Sequence, residues 1–295
     1  MNAVNGNNHW QQPPIWWQWL GTPLRPSLQD IAVIQQEILL PLQQEIKAHS
    51  TGDSQPQTWT NPQICLLGVT PELATLDWPE NSFLTAVDSS EKMIESVWIG
   101  DRPQCRKAVL GDWRSLPFED QSCHVIVGDG CLTLLDYPQG YQAIFEELRR
   151  VLHPQGYLSL RCFLRPEIPE SVDQVLADLW AGDIDTFHSF KLRLAMALQQ
   201  HLEVGVSMQE IWKYWQRSIP NPNTLFETLN WPKALESTIA MYQNSTTHYT
   251  FPTLTELRQT ISPWFQEVTC FFPTYPLGDR CPTLIYRSQK LIHNS

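Results

Sequence analysis

This chain has no dense run of lysine and arginine. Its 20 basic side chains face 31 acidic ones across 295 residues, for a formal net charge of −11 at pH 7. Nucleic-acid binders draw much of their affinity from basic faces that neutralise phosphates, so nucleic acid is a disfavoured partner. Arg149 and Arg150 are adjacent, but they sit late in a segment of helical spacing, where they complement the dipole. No apolar run approaches membrane-spanning length, and the opening MNAVNGNNHW lacks the basic and apolar stretches of a secretory leader. A cytoplasmic protein with no membrane partner is expected. The seven cysteines (Cys65, Cys105, Cys123, Cys131, Cys162, Cys270 and Cys281) are odd in number and form no CxxC or Cys/His ligand pattern. They read as free thiols in a reducing compartment rather than a metal site or a disulfide framework. Also missing is a GxGxxG motif, which weakens a nicotinamide-dehydrogenase reading because that cofactor needs helix amides facing a pyrophosphate.

What is present is apolar and aromatic. Hydrophobic residues make up 42% of the chain and charged ones only 17%, and there are 13 tryptophans, so large rings must be buried in a core or a pocket. Residues 1–25 are rich in Asn, Gln, Pro and Trp, and four tryptophans by Trp19 argue for docking onto an apolar surface. Ile31, Ile34, Ile38, Leu39, Leu42 and Ile46 repeat at helical spacing and predict one helix over about 27–48, followed by the polar linker STGDSQPQ.

From Ile64 the rhythm changes. ICLLG, FLTAVD, CRKAVLGDW, CHVIVGD and YLSLRCF read as five strands, separated by helical patterns such as SSEKMIESVW and PQGYQAIFEELRRVL, the last stopped by HPQG. Such alternation means βαβ units and a doubly wound parallel α/β sheet. Residues 169–245 break it with three helical segments, ESVDQVLADLW, FHSFKLRLAMALQQ and SMQEIWKYWQ, read as an inserted lid. Thr253 and Glu256 fit a capping box, after which FQEVTCFF and CPTLIYRS read as an antiparallel pair at a sheet edge. The expected organisation is 1–60 Trp-rich segment and helix, 61–168 cofactor-binding core, 169–250 helical lid and 251–295 the end of the core sheet.

Ligands of open α/β sheets bind beyond the carboxyl ends of the strands. Here those ends carry Gly68-Val69-Thr70-Pro71-Glu72, then Asp88, then Gly111-Asp112-Trp113, then Asp129-Gly130. An acid closing the second strand can accept both hydroxyls of a ribose. An Asp-Trp pair after the third can take an amine proton from adenine while the ring covers it. Each Asp alone also fits a cap or turn; three at successive strand ends point to one site. Trp78 and His124 read as structural.

These stretches resemble class I S-adenosylmethionine-dependent methyltransferases of the type 11 kind. The resemblance rests on LTAVDSSEKMI, LGDWRSLPFEDQSCHVIV and LRRVLHPQGYLSLRCF, covers residues 60–165 well and 250–288 moderately, and leaves out the Trp-rich start and the lid. It implies a Rossmann-like seven-stranded sheet with an antiparallel final strand and S-adenosylmethionine as cofactor. Asp88 would then bind ribose, Asp112 and Trp113 would flank adenine, and Asp129 would lie towards the methionyl group; Ser89 and Met93 join this set. The departure is the first turn, which keeps only Gly68 where the family usually has two or three glycines. Pro71 and Glu72 still suit a helix start.

Methyl transfer is an in-line displacement on an activated donor, so no obligatory catalytic signature is expected. Candidates over the site are Arg161, suited to a carboxylate-bearing acceptor, Lys191 and Arg193 in the lid, and His188 as a general base. A small-molecule acceptor is expected. Two other readings stay open: a cofactor-fold protein without activity, and a nicotinamide-dependent reductase.

Overall fold

A computed structural model of the chain describes residues 17–50 and 61–289. Trp10, Trp16 and nearly all of the expected linker lie outside the described residues. After Trp17–Trp19, a single 3-10 turn, come helix α1 (Leu28–Ile34), a π-helical stretch (Gln35–Leu39) and helix α2 (Leu40–Ser50). Ser27 caps α1 with a full capping box to Asp30. The single expected helix is therefore interrupted. Pro41 explains the widening: it lacks an N–H, and its ring would clash with the carbonyl four residues back in a regular α-turn.

Strands β1 (Gln63–Leu67), β2 (Phe83–Asp88), β3 (Arg106–Leu110), β4 (Cys123–Asp129) and β5 (Leu152–Arg161) are parallel neighbours, linked by the one-turn helix α3 (Pro71–Ala74), by α4 (Glu91–Val97) and by α5 (Gln139–Val151). Apolar runs such as ICLL form strands covered on both faces. Their period-two alternation feeds two layers: Cys65 and Leu67 join Tyr141, Phe145 and Leu148 of α5, while Ile64 and Leu66 join Ile38, Leu42 and Leu73. HPQG does not end the helix before a later strand, as expected. Leu152 already pairs with Cys123, the ladder then shifts, and regular pairing resumes at Tyr157 with Val125. The Pro-Gly pair marks this irregularity, not a loop.

Between β5 and the end of the sheet lie α6 (Val172–Ala181), α7 (Phe187–Leu198), α8 (Met208–Ser218), α9 (Pro222–Thr228) and α10 (Ser237–Ala240). A two-stranded ribbon, β6 (Val206–Ser207) with β7 (His248–Tyr249), also belongs here; neither it nor α9 and α10 are evident in the sequence pattern. This insertion has its own aromatic core, with Phe187 ring centroids 5.0 Å from Phe226 and 5.5 Å from Trp215. Helix α11 (Leu254–Ile261) carries the predicted Thr253/Glu256 capping box. It leads into β8 (Phe265–Phe271) and β9 (Thr283–Ser288). The seven-stranded sheet has the order β3-β2-β1-β4-β5-β9-β8, with β9 antiparallel to both neighbours. The fold is the expected doubly wound α/β sheet with one reversed, final strand. Among the described residues no helix is long and apolar enough to cross a membrane, and all seven cysteines are free.

Phe145 is fully buried and packs against Tyr141 and Trp264. Phe145→Ala should cost about 3–5 kcal/mol of stability, measured by urea unfolding.

Candidate functional site

A cleft of about 340 Å³ opens beyond the carboxyl ends of β1, β2 and β4. Gly68 leaves β1 at φ +94° and its N–H donates to Val87 O at 2.8 Å. Only glycine adopts this backbone without strain, so the single glycine left in the turn sits where the conformation demands it. Asp88 closes β2. One carboxylate oxygen accepts from Ser90 N at 2.8 Å, and burial pushes its pKa up to about 6 against the opposing pull of the Ser90 and Ser89 amides. Trp113 Nε1 donates to the same Val87 carbonyl at 2.6 Å, which sets the indole beside the Gly68 turn. Asp112 is exposed and forked onto Arg114, with Nη2–Oδ2 at 2.7 Å and Nε–Oδ1 at 3.0 Å. The guanidinium holds its carboxyl below the usual range.

Past β4, Gly130 has φ +62°, and a Cβ there would come within 2.7 Å of the Phe163 ring. Asp129 beside it forms a buried ion pair with Arg161, Nε to Oδ1 at 2.6 Å. Arg161 Nη1 also donates to Pro23 O at 2.7 Å and to Tyr275 Oη at 3.1 Å. Asp129 keeps the guanidinium firmly protonated despite burial. Two further walls complete the cleft. Trp17, Leu20 and Leu24 reach over it from the N-terminal strap, which is held by Arg25 Nε on Glu72 Oε1 at 2.7 Å. Lys191, Thr238, Tyr242 and Tyr249 face it from the insertion, tied to the loop after β4 by Thr250 N donating to Thr133 O at 2.9 Å.

Of the residues singled out in the sequence, Gly68, Val69, Thr70, Asp88, Ser89 and Met93 line this cleft. Asp112, Trp113, Asp129, Gly130 and Lys191 do so as well. Pro71 and Glu72 do not, and Glu72 instead anchors Arg25. Gly111 lies outside too; it packs so closely that a Cβ would meet Val87 at 2.9 Å. Arg161 engages Asp129, Pro23 and Tyr275 through Nε and Nη1, while its buried Nη2 has no hydrogen-bond partner among the described residues, and Arg193 is spent on Glu170 and Asp178. His188 is buried between the insertion and the strap, with Nε2 2.8 Å from Trp19 O. Burial and nearby Lys191 push its pKa down to about 3, so it is neutral and its Nε2–H donates to that carbonyl. Thr238, Tyr242 and Tyr249 carried no signal in sequence, because nothing local distinguishes a cleft tyrosine from a core one.

Residues 67–160 match a family model described as a methyltransferase domain. That stretch is similar to the methyltransferase-domain family. It runs from the end of β1 to the end of β5 and contains the Gly68 turn and all three strand-end acids. No curated protein matches the chain. Among solved structures, one described as a zinc-dependent alcohol dehydrogenase from Rhodobacter sphaeroides is similar at a TM-score of 0.53 and 10% identity, over 96% of this chain and 99% of that one. At that identity the likeness is one of fold. The PH0226 protein of Pyrococcus horikoshii is 14% identical over 93% of this chain and 99% of its own, with a TM-score of 0.47. The N-methyltransferase NodS of Bradyrhizobium japonicum, solved with S-adenosyl-L-homocysteine, is 10% identical over 87% and 88%, with a TM-score of 0.40. Among the described residues no group of three or more His, Cys, Asp or Glu side chains is placed to hold a metal ion.

The end of β4 delivers Asp129 to the cleft already paired with Arg161. Removing one partner of a buried pair leaves an uncompensated charge. Arg161→Met should therefore cost about 3–5 kcal/mol, and the double variant with Asp129→Leu should recover much of that loss, both read by urea unfolding.

Proposed function

We propose that the protein is an S-adenosylmethionine-dependent methyltransferase acting on a small-molecule acceptor. The observation that carries this reading is Asp88: a carboxylate facing the cleft, next to the left-handed Gly68 turn, held by backbone amides and by no ion pair among the described residues. It fits a ribose diol, which offers two donors and no charge. The turn at Gly68, Val69 and Thr70 offers bare backbone to the cofactor, and Met93 with Trp113 offers an apolar slot for adenine. Asp112 is available to the adenine amine through the oxygens that Arg114 also engages. Asp129 gives Oδ1 to Arg161 and has Oδ2 to offer the methionyl ammonium.

When bound, the cofactor supplies a methyl group already activated on sulfur, so the protein has to align the acceptor and exclude water. The cleft suits that task, being roofed by the strap and walled by the insertion, which acts as a lid. Its volume of about 340 Å³ is that of a site for small ligands rather than an open groove for a macromolecule. The free cysteines suit a reducing cytoplasm.

Calorimetry with S-adenosylmethionine and S-adenosylhomocysteine tests the reading directly. Heat with both is expected; no heat with either, on folded protein, would overturn it. A thermal shift with NADH or NADPH and none with the sulfonium would favour the reductase alternative. Asp88→Ala should weaken cofactor binding by about 1.5–3 kcal/mol, the scale of hydrogen bonds to a charged group. A pH dependence follows as well. Ribose hydroxyls bond the charged carboxylate and so lower its pKa in the complex. Affinity should hold steady above about pH 6, the level to which burial raises the free group, and fall as pH drops through it, approaching tenfold per unit. Asp88→Asn should flatten that profile.

A further inference from the structure

Among the described residues Lys191 is the one buried amine facing the cleft, and its hydrogen bonds have a fixed polarity. Nζ donates to Thr238 O at 2.9 Å and to Thr238 Oγ1 at 2.8 Å. The carbonyl can only accept. The hydroxyl donates its own hydrogen to Leu235 O at 2.7 Å, so it too can only accept from the lysine. A neutral amine has two hydrogens and one lone pair, and both hydrogens are placed. The lone pair is left for whatever enters the cleft.

The surroundings keep that amine easy to deprotonate. Among the described residues no carboxylate pairs with Lys191, and burial alone pushes its pKa down to about 7. Phe187 and Tyr242 present ring faces to Nζ, with centroids at 5.7 and 5.5 Å, a contact that favours the ammonium and works against the desolvation. His188, one turn back on α7, is neutral. Tyr242 and Tyr249 bond each other through their hydroxyls, and burial raises both. The acids of the cleft, Asp88, Asp112, Asp129 and Asp136, all stand on the sheet side. Asp112 and Asp129 already carry arginines.

We propose that Lys191 is the base of this site, and that the acceptor is a compact, mostly apolar molecule bearing an acidic hydroxyl, a phenol or an enol of like acidity. This rests on the methyl-transfer reading. The hydroxyl O–H bond breaks, its electron pair stays on oxygen, and the proton becomes the third N–H of a Lys191 ammonium. The oxyanion is then the nucleophile, and the ammonium returns its proton to water once the product has left. Proton exchange costs least between groups of similar acidity, which phenols offer and aliphatic alcohols do not. A carboxylic acid arrives already ionised and needs no base. A cationic amine acceptor would need a free carboxylate at the lid end, where the cleft has none. Leu20, Leu24, Phe163 and Met241 supply the apolar surface for the acceptor's body.

The test uses cofactor-free protein and 4-nitrophenol, whose ionised form has its own absorption band. At about pH 6, where the free phenol is mostly protonated, binding to the wild type should produce the phenolate band, through the ammonium that faces it. K191M should bind at least about tenfold more weakly and give no band, while its calorimetric heat with S-adenosylmethionine stays that of the wild type. A band that persists in K191M, equal binding of neutral phenol by both proteins, or no phenol binding by a wild type that binds the cofactor would overturn the proposal. A band without any cofactor binding would instead overturn the methyl-transfer reading. Acetylation of Lys191 in the wild type, followed by mass spectrometry, needs no variant. It should reach its half-point near pH 7 and be blocked by 4-nitrophenol; a half-point near about pH 10 without protection would refute the assignment.

Discussion

The buried pair of Arg161 and Asp129 is the contact on which the rest of the site depends. One guanidinium, at the end of β5, holds the acid at the end of β4, the Pro23 carbonyl of the strap and the Tyr275 hydroxyl from the loop between β8 and β9. It also lies 5.1 Å from the Phe163 ring, which in turn packs where Gly130 has no side chain. Four segments distant in sequence thus share one charge. A charge taken out of water is costly unless such partners compensate it. The cleft floor, its roof and the position of Asp129 are therefore set together.

The sheet was legible because its signals are local. Apolar runs that end in Gly or Asp can be counted along the chain, and β1, β2 and β4, with Gly68 after the first and Asp88 and Asp129 closing the others, fall where those runs predict. The capping box at Thr253 and the Ser90 cap are likewise carried by residues within one turn. Local signals also misled. Pro41 inside a helical repeat widens a turn, and Pro154 and Gly156 mark a shifted ladder rather than a break.

The site was legible on its sheet side and opaque on the other. Asp88 and Gly68 are placed by strand ends, so their spacing reveals them. Lys191 finds Thr238 47 residues away, and Arg25 finds Glu72 at the same separation. No periodicity records such meetings. Titratable residues near a cleft segment, such as Arg161 and His188, advertise chemistry in sequence, yet hydrogen-bond partners far along the chain turn them inward. Asp112 is the contrary case, since its partner Arg114 stands two residues on.

The strap has a consequence for how the molecule is made. Trp19 meets His188 across 169 residues, Pro23 meets Arg161 across 138, and Asp30 meets Thr283 across 253. The strap is thus among the last segments to find its place, because these partners leave the ribosome long after it does. Contacts between such distant residues close large loops and form slowly. Until then the cleft has a floor and no roof, and Trp17, Leu20 and Leu24 of the strap stay exposed to whatever else binds apolar chain.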